Sequence, residues 1–196
     1  MSILEIVAAA FGLIAVALNV RQHILCWPTG LVQVALYVVV FWEAKLYSDL
    51  VLHLVYVVLQ LYGWYHWLHG GADQGPLRTS AIGWRRAAAW MLLALAGTLG
   101  WGALMARFTD AAVPYPDAFI LAASLVAQWL MVEKVVESWV FWLIIDVVAV
   151  WVYWQKALYP TVALYAVFLG LAAAGWVTWR RALVRESPPR LSPGPT

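Results

Sequence analysis

Charge is scarce in this chain. Twelve Lys and Arg and ten Asp and Glu make up 11% of its 196 residues, against about 25% in a typical soluble domain. A soluble all-helical globule is thereby excluded, because it would leave large apolar patches in water. Cysteine is scarcer still. Cys26 stands alone, so there is no internal disulfide, and a lone thiol beside an apolar segment serves as a small buried residue. The sequence has no GxxxxGK[ST] loop to cradle ATP phosphates. It has no Cys/His cluster for a metal, no Arg-rich voltage-sensing helix and no TVGYG-type potassium filter. No cofactor and no nucleic-acid partner are expected, and the net charge of +2 says little about partners.

What is present is apolar. Hydrophobic residues make up 65% of the chain, and its mean hydropathy is +0.80. Each bilayer crossing needs about 20 mostly apolar residues. Seven segments qualify: Ile3 to Val20, Pro28 to Phe41, Leu46 to Leu68, Ala87 to Ala106, Asp117 to Val132, Trp139 to Trp154 and Leu158 to Trp179. They must be helices, because lipid offers no partner for a free backbone N–H or C=O. A barrel strand would alternate apolar and polar residues, and these segments are apolar all round. The second and sixth are short and are expected to extend into their flanks. The N-terminal run lacks a basic leader and reads as an anchor rather than a cleaved signal.

Basic residues set the orientation. Arg21, Arg78, Arg85, Arg86, Lys134, Arg180, Arg181, Arg185 and Arg190 fall at one set of segment ends. Only Lys45, Arg107 and Lys156 fall at the other. The rich side is expected to be cytoplasmic, with the N-terminus outside and the C-terminus inside. The Pro-rich end, residues 181–196, reads as a disordered cytoplasmic tail.

The chain also repeats itself at an offset of 112 residues. Trp27 pairs with Trp139, Trp42 with Trp154, Leu46-Tyr47 with Leu158-Tyr159, Gly63-Trp64 with Gly175-Trp176, and Trp67 with Trp179. Leu13, Ala15 and Leu18 pair with Leu125, Ala127 and Leu130. Eight of the fourteen Trp fall in register without a gap. Aromatic belts place Trp near segment ends, but they do not dictate identical spacing. The reading is a first three-helix unit over 1–69, a loop and linker helix over 70–112, and a second three-helix unit over 113–180. Both units point the same way across the membrane, a seven-helix 3+1+3 parallel repeat of the SWEET type with a ligand between the halves.

The second unit carries the denser chemistry, in "AQWLMVEKVVESWVFWLIID" from Ala127 to Asp146. Trp139, Trp142 and Asp146 step by three and four and share a helix face. Ser138 lies one turn from Trp142. Indole rings stack on a flat ligand and attract positive charge, and a few polar groups fix its orientation. A carboxylate such as Asp146 inside an apolar helix is expensive and faces a cavity or a partner. Gln128 sits among small residues and either reaches the cavity or ties two helices together. Lys134 and Glu137, at the cytoplasmic end of segment five, and Gln60, Trp64 and Tyr37 in the first unit complete the candidates. Glu133 reads as a solvated residue with local ion pairs, and His53 as a packing residue. Trp64, Trp67, Trp176 and Trp179 read as interfacial anchors, although either pair can close the cavity from below. An enzyme would need a nucleophile with a base, or paired carboxylates. Only Glu133 and Glu137 have that spacing, so no enzyme activity is expected. A purely structural bundle gains little from so many intramembrane polar groups.

The run Gln-Trp-Leu-Met…Lys…Glu-x-Trp-x-x-Trp-x-x-x-Asp, with the early "WPTG", resembles the PnuC family of bacterial vitamin transporters from about Leu4 to Trp179. The resemblance implies a homotrimer in the inner membrane and facilitated diffusion of an unphosphorylated vitamin, nicotinamide riboside in the best-known members. Cytosolic phosphorylation would then trap it. In those carriers an Asn precedes the first Trp of the motif, and that Asn and the second Trp contact the ligand. The second Trp matches Trp142, but the Asn position is Ser138. A hydroxyl replaces an amide that offers both a carbonyl and an NH₂, so thiamine or riboflavin stays open as the cargo.

Overall fold

The computed structural model describes residues 3–43, 47–109, 113–155 and 157–186. Among them the regular secondary structure is helical apart from one isolated bridge between Ser80 and Val135. The seven long helices are α1 (Ile3–Val20), α2 (Cys26–Glu43), α3 (Tyr47–His69), α4 (Gly83–Phe108), α5 (Pro114–Val132), α6 (Ser138–Gln155) and α7 (Tyr159–Glu186). Six of them, all but α3, are long and apolar enough to cross a membrane. α3 has the length, 23 residues, but His53, Gln60, His66 and His69 break its apolar run. It packs between α2 and α5, which leaves His53, Gln60 and His66 partly buried and His69 exposed at the helix end.

The flanks extend as expected. α2 and α6 start at Cys26 and Ser138 and hold 18 residues each, which gives about 27 Å of helix. At the C-terminal end α7 runs further than the sequence suggests. Residues 181–186, assigned above to a disordered tail, continue α7 to Glu186. Arg, Ala, Leu and Glu are strong helix formers, and the chain next disfavours helix at Ser187, which precedes Pro188. The rest of the tail, including Arg190, lies outside the described residues, as do Lys45, Leu46 and Lys156.

The helices pack in a closed cycle, α1 on α2, α2 on α3, α3 on α5, α5 on α6, α6 on α7 and α7 back on α1. α4 stands outside this ring against α5. Two elbows, α1–α2 and α5–α6, share a backbone pattern. Gln22 N–H donates to Asn19 O and His23 N–H to Leu18 O, both at 2.9 Å. Lys134 N–H donates to Met131 O at 3.0 Å and Val135 N–H to Leu130 O at 2.9 Å. These are Schellman closures. The left-handed position is taken by Gln22 (φ 55°) in one and Lys134 (φ 52°) in the other, without glycine in either.

The segment joining α3 to α4 binds both elbows at the basic end. Thr79 Oγ1 donates to Gln22 Oε1 at 3.1 Å. Ser80 N–H donates to Lys134 O at 3.1 Å, and Ser80 O accepts from Val136 N–H at 2.9 Å.

Candidate functional site

Four indoles cross the ring at its basic end. Trp27 meets Trp67 edge to face with centroids 5.2 Å apart, Trp67 meets Trp179 at 5.7 Å, and Trp179 meets Trp139 edge to face at 5.5 Å. All four are buried. Trp67 and Trp179 are therefore not interfacial anchors, as their place near helix ends suggested; they face inward and close the ring. Two glycines make room. The Trp27 ring lies where a side chain on Gly63 would stand, and the Trp139 ring where one on Gly175 would stand. Trp67 and Trp179 spend their N–H groups on the carbonyls of Met131 and Asn19. The buried Nε1 atoms of Trp27 and Trp139 have no acceptor among the described residues, which leaves two donors for something else.

Further along the ring the interior turns to Tyr and His. Phe41 and His53 meet at 4.7 Å, and Tyr153 and Tyr165 stack at 5.2 Å. These two pairs are again 112 residues apart. Tyr37 lies 5.5 Å from His53 and within electrostatic reach of Tyr153. Tyr56 shares a hydrogen bond with Ser124. Asp146 and Tyr56 both lie within electrostatic reach of Tyr165. Hydroxyls from five helices of the ring and the Asp146 carboxylate thus converge in a largely apolar bundle, with the Glu5 carboxylate of α1 within electrostatic reach of Tyr37.

The candidates from sequence divide between this interior and the basic end. Asp146 is buried at 4% exposure, midway along α6. Trp142 is half-buried and packs against both buried clusters of the ring. Trp139 belongs to the indole chain, and Tyr37 to the aromatic group. Gln128 is half-buried one turn beyond Ser124 on α5. Gln60 packs its amide against the backbone of Gly30, and Trp64 packs on the indole cluster. Ser138 is fully buried, and its hydroxyl donates to Val135 O at 2.7 Å.

Glu137 and Lys134 are held elsewhere. The Glu137 carboxylate accepts the N–H groups of Ile82 and Gly83 at 3.2 and 3.1 Å. It caps the start of α4, where the helix dipole favours an anion. Lys134 Nζ donates to Leu77 O at 2.8 Å and lies 4.8 Å from the Trp67 ring centre. Glu133 pairs with His66 at 3.4 Å. Tyr56, Tyr153 and Tyr165 were not singled out from sequence; the offset pairs Phe41/Tyr153 and His53/Tyr165 are the signal that points to the last two.

The family model described as nicotinamide mononucleotide transporter matches residues 2–181. Nicotinamide riboside transporter PnuC of Escherichia coli is 24% identical over 204 residues, covering 91% of this chain and 85% of the relative. The protein of the same name from Neisseria mucosa is 28% identical, covering 92% and 73%. Riboflavin/roseoflavin transporter RibM of Streptomyces davaonensis is 26% identical, covering 97% and 91%. A crystal structure of the vitamin B3 transporter PnuC shares the fold with a TM-score of 0.75 at 24% identity, over 94% of this chain and 83% of that one.

Proposed function

From the chain's membership of the nicotinamide mononucleotide transporter family, we propose that it is an inner-membrane carrier for a ribosylated pyridine vitamin, nicotinamide riboside. It works by facilitated diffusion and is not an enzyme. The observation that carries this reading is Asp146, a buried carboxylate among tyrosines of a closed helix ring. A pyridinium is flat and cationic, and its ribose carries hydroxyls. Trp142 and Trp139 supply the stacking platform, with the free Trp139 N–H as a donor. Asp146 faces the positive charge, and Gln128, Ser138, Gln60, Trp64 and Tyr37 complete the contacts. Glu137 and Lys134 shape the chamber from the basic end.

All seven helices cross the membrane in this reading, with the N-terminus outside and the C-terminus in the cytoplasm. The first unit (1–69), the loop and linker helix (70–112) and the second unit (113–180) form a parallel 3+1+3 repeat. Its support is the matched elbows, the matched indole pairs and the linker α4 standing outside the ring. Alternating access follows from rocking one unit against the other, with the four indoles as the barrier at the cytoplasmic end. Three such chains assemble as a homotrimer.

Trapping follows from charge. Cytosolic phosphorylation gives the vitamin a dianionic group, which Asp146 repels and the apolar walls do not solvate. The cargo that enters is therefore the unphosphorylated nucleoside.

A flavin is the second reading. It is favoured by Ser138, whose hydroxyl is already committed to Val135 O and leaves less to orient a ribosylated pyridine than an amide would. A thermal-shift screen of the purified carrier against nicotinamide riboside, its phosphorylated form, thiamine and riboflavin tests both. A ligand that binds the native state raises its melting temperature. A shift with nicotinamide riboside alone is expected, and a shift with riboflavin alone replaces the first reading with the second.

A further inference from the structure

At the basic end, outside the indole chain, Arg21 and Gln22 of the α1–α2 elbow and Thr178, Arg181, Ala182 and Arg185 of α7 line a solvent-open cavity of ≈ 440 Å³. Three guanidinium groups from elements remote in sequence surround one space. None of the three forms an ion pair among the described residues. Gln22 adds a donor. Its Oε1 accepts from Thr79 at 3.1 Å, which fixes the amide, and its buried Nε2 has no acceptor among the described residues.

Positions 112 residues away supply an internal comparison. Arg21 corresponds to Glu133, Thr178 to His66, Arg181 to His69 and Arg185 to Asp73. There Glu133 meets His66 at 3.4 Å, so an acid on the elbow answers a base on the helix. On the α1–α7 side the acid is replaced by Arg21, and charge of one sign gathers round an open space. Such a cluster repels itself unless an anion sits within it.

We propose that this cavity binds a phosphate group. Guanidinium forks match phosphate oxygens in bidentate pairs, and the Gln22 amide and Thr178 hydroxyl complete the donor set. A volume of ≈ 440 Å³ exceeds that of one phosphate group and leaves room for the glycerol or sugar esterified to it. Two sources offer this chemistry at this depth. One is the headgroup of an anionic phospholipid in the cytoplasmic leaflet, and the other is a phosphorylated solute. The site is separate from the chamber and does not depend on which vitamin the chamber takes.

The test uses the full-length protein in nanodiscs of phosphatidylcholine with or without phosphatidylglycerol. Retained phosphatidylglycerol is counted by native mass spectrometry. Inorganic phosphate is titrated into the phosphatidylcholine sample and followed by thermal shift. R181Q/R185Q and R21Q remove cavity arginines, whereas R85Q/R86Q removes equal charge from the same membrane side outside the cavity. Each cavity arginine lost is expected to weaken binding about fivefold, with R85Q/R86Q unchanged and vitamin binding intact in every variant. Retention of phosphatidylglycerol alone identifies the lipid as the source, and a shift with phosphate alone identifies the solute. Equal losses in the cavity and control variants, or no response to either probe, overturns the proposal.

Discussion

Trp67 and Trp179 lie with ring centroids 5.7 Å apart, and each donates its indole N–H across the ring. Trp67 reaches Met131 O at 3.1 Å, and Trp179 reaches Asn19 O at 3.0 Å. The two acceptors, like the two donors, are 112 positions apart. Each acceptor carbonyl also takes the N–H that closes its own elbow, from Lys134 or Gln22. The indoles therefore pin the points where α5 and α1 end. Any motion of one half against the other must carry or break both bonds.

Because the bonds are reciprocal, Trp67→Phe and Trp179→Phe should cost nearly the same. Each removes one hydrogen bond, about 1 kcal/mol, and leaves part of an indole volume empty, for a total of about 2–3 kcal/mol. Thermal melts of the two variants in one detergent check this. A collapse of one beside a silent other would mean that the two halves are not mechanically equivalent.

The sequence carried the indole spacing but not the indoles' surroundings. A Trp near a helix end reads the same whether it faces headgroups or the bundle interior. Only the approach of Gly63 to Trp27 and of Gly175 to Trp139 decides it, and that takes the helix faces in three dimensions. The same holds for Glu137. Its place beside the Trp139 motif suggested a ligand contact, yet its partners lie 55 and 54 residues back at Ile82 and Gly83. No periodicity reports a loop that folds back so far. Asp146 was legible, because a carboxylate in an apolar helix declares itself in one dimension.

Glu137→Ala should lower stability by about 1–2 kcal/mol, the cost of losing a helix cap. It should leave vitamin affinity in place, since both carboxylate oxygens are held by α4. Glu137→Gln, which keeps one acceptor, should fall between. Parallel melting and calorimetric titration separate the effects, and a loss of affinity without a loss of stability would put Glu137 in contact with the ligand.

Trp142→Ala should weaken binding about 5- to 150-fold while the protein stays folded. Stacking on one aromatic face is worth about 1–3 kcal/mol, and the half-buried ring lies between the two packed clusters rather than at the centre of either. Isothermal titration of the purified variant, with gel filtration to verify folding, decides it. Unchanged affinity would remove Trp142 from the platform.

Facilitated diffusion predicts that collapsing the proton gradient leaves equilibrium uptake of a neutral analogue into vesicles unchanged. His53, the intramembrane imidazole, lies in ring contact with Tyr37, Phe41 and Tyr56, an arrangement suited to packing. If an uncoupler abolishes accumulation, His53 and Asp146 become the proton-carrying candidates.

Asp146→Asn separates charge from shape. The amide is nearly isosteric with the carboxylate, so the chamber keeps its volume while losing its charge. A hydrogen bond or close contact to a charged group is worth about 1.5–3 kcal/mol, so affinity for the cationic pyridinium nucleoside should fall by about tenfold or more. Its reduced, uncharged form should bind the variant and the parent alike. Removing the carboxylate also removes the barrier to a phosphate, so the phosphorylated vitamin should compete for the variant more strongly than for the parent. Competition titrations with all three ligands check each step. Equal losses for the cationic and neutral forms would show that Asp146 holds the helices together rather than recognising charge, because a packing defect does not discriminate between ligands of one shape.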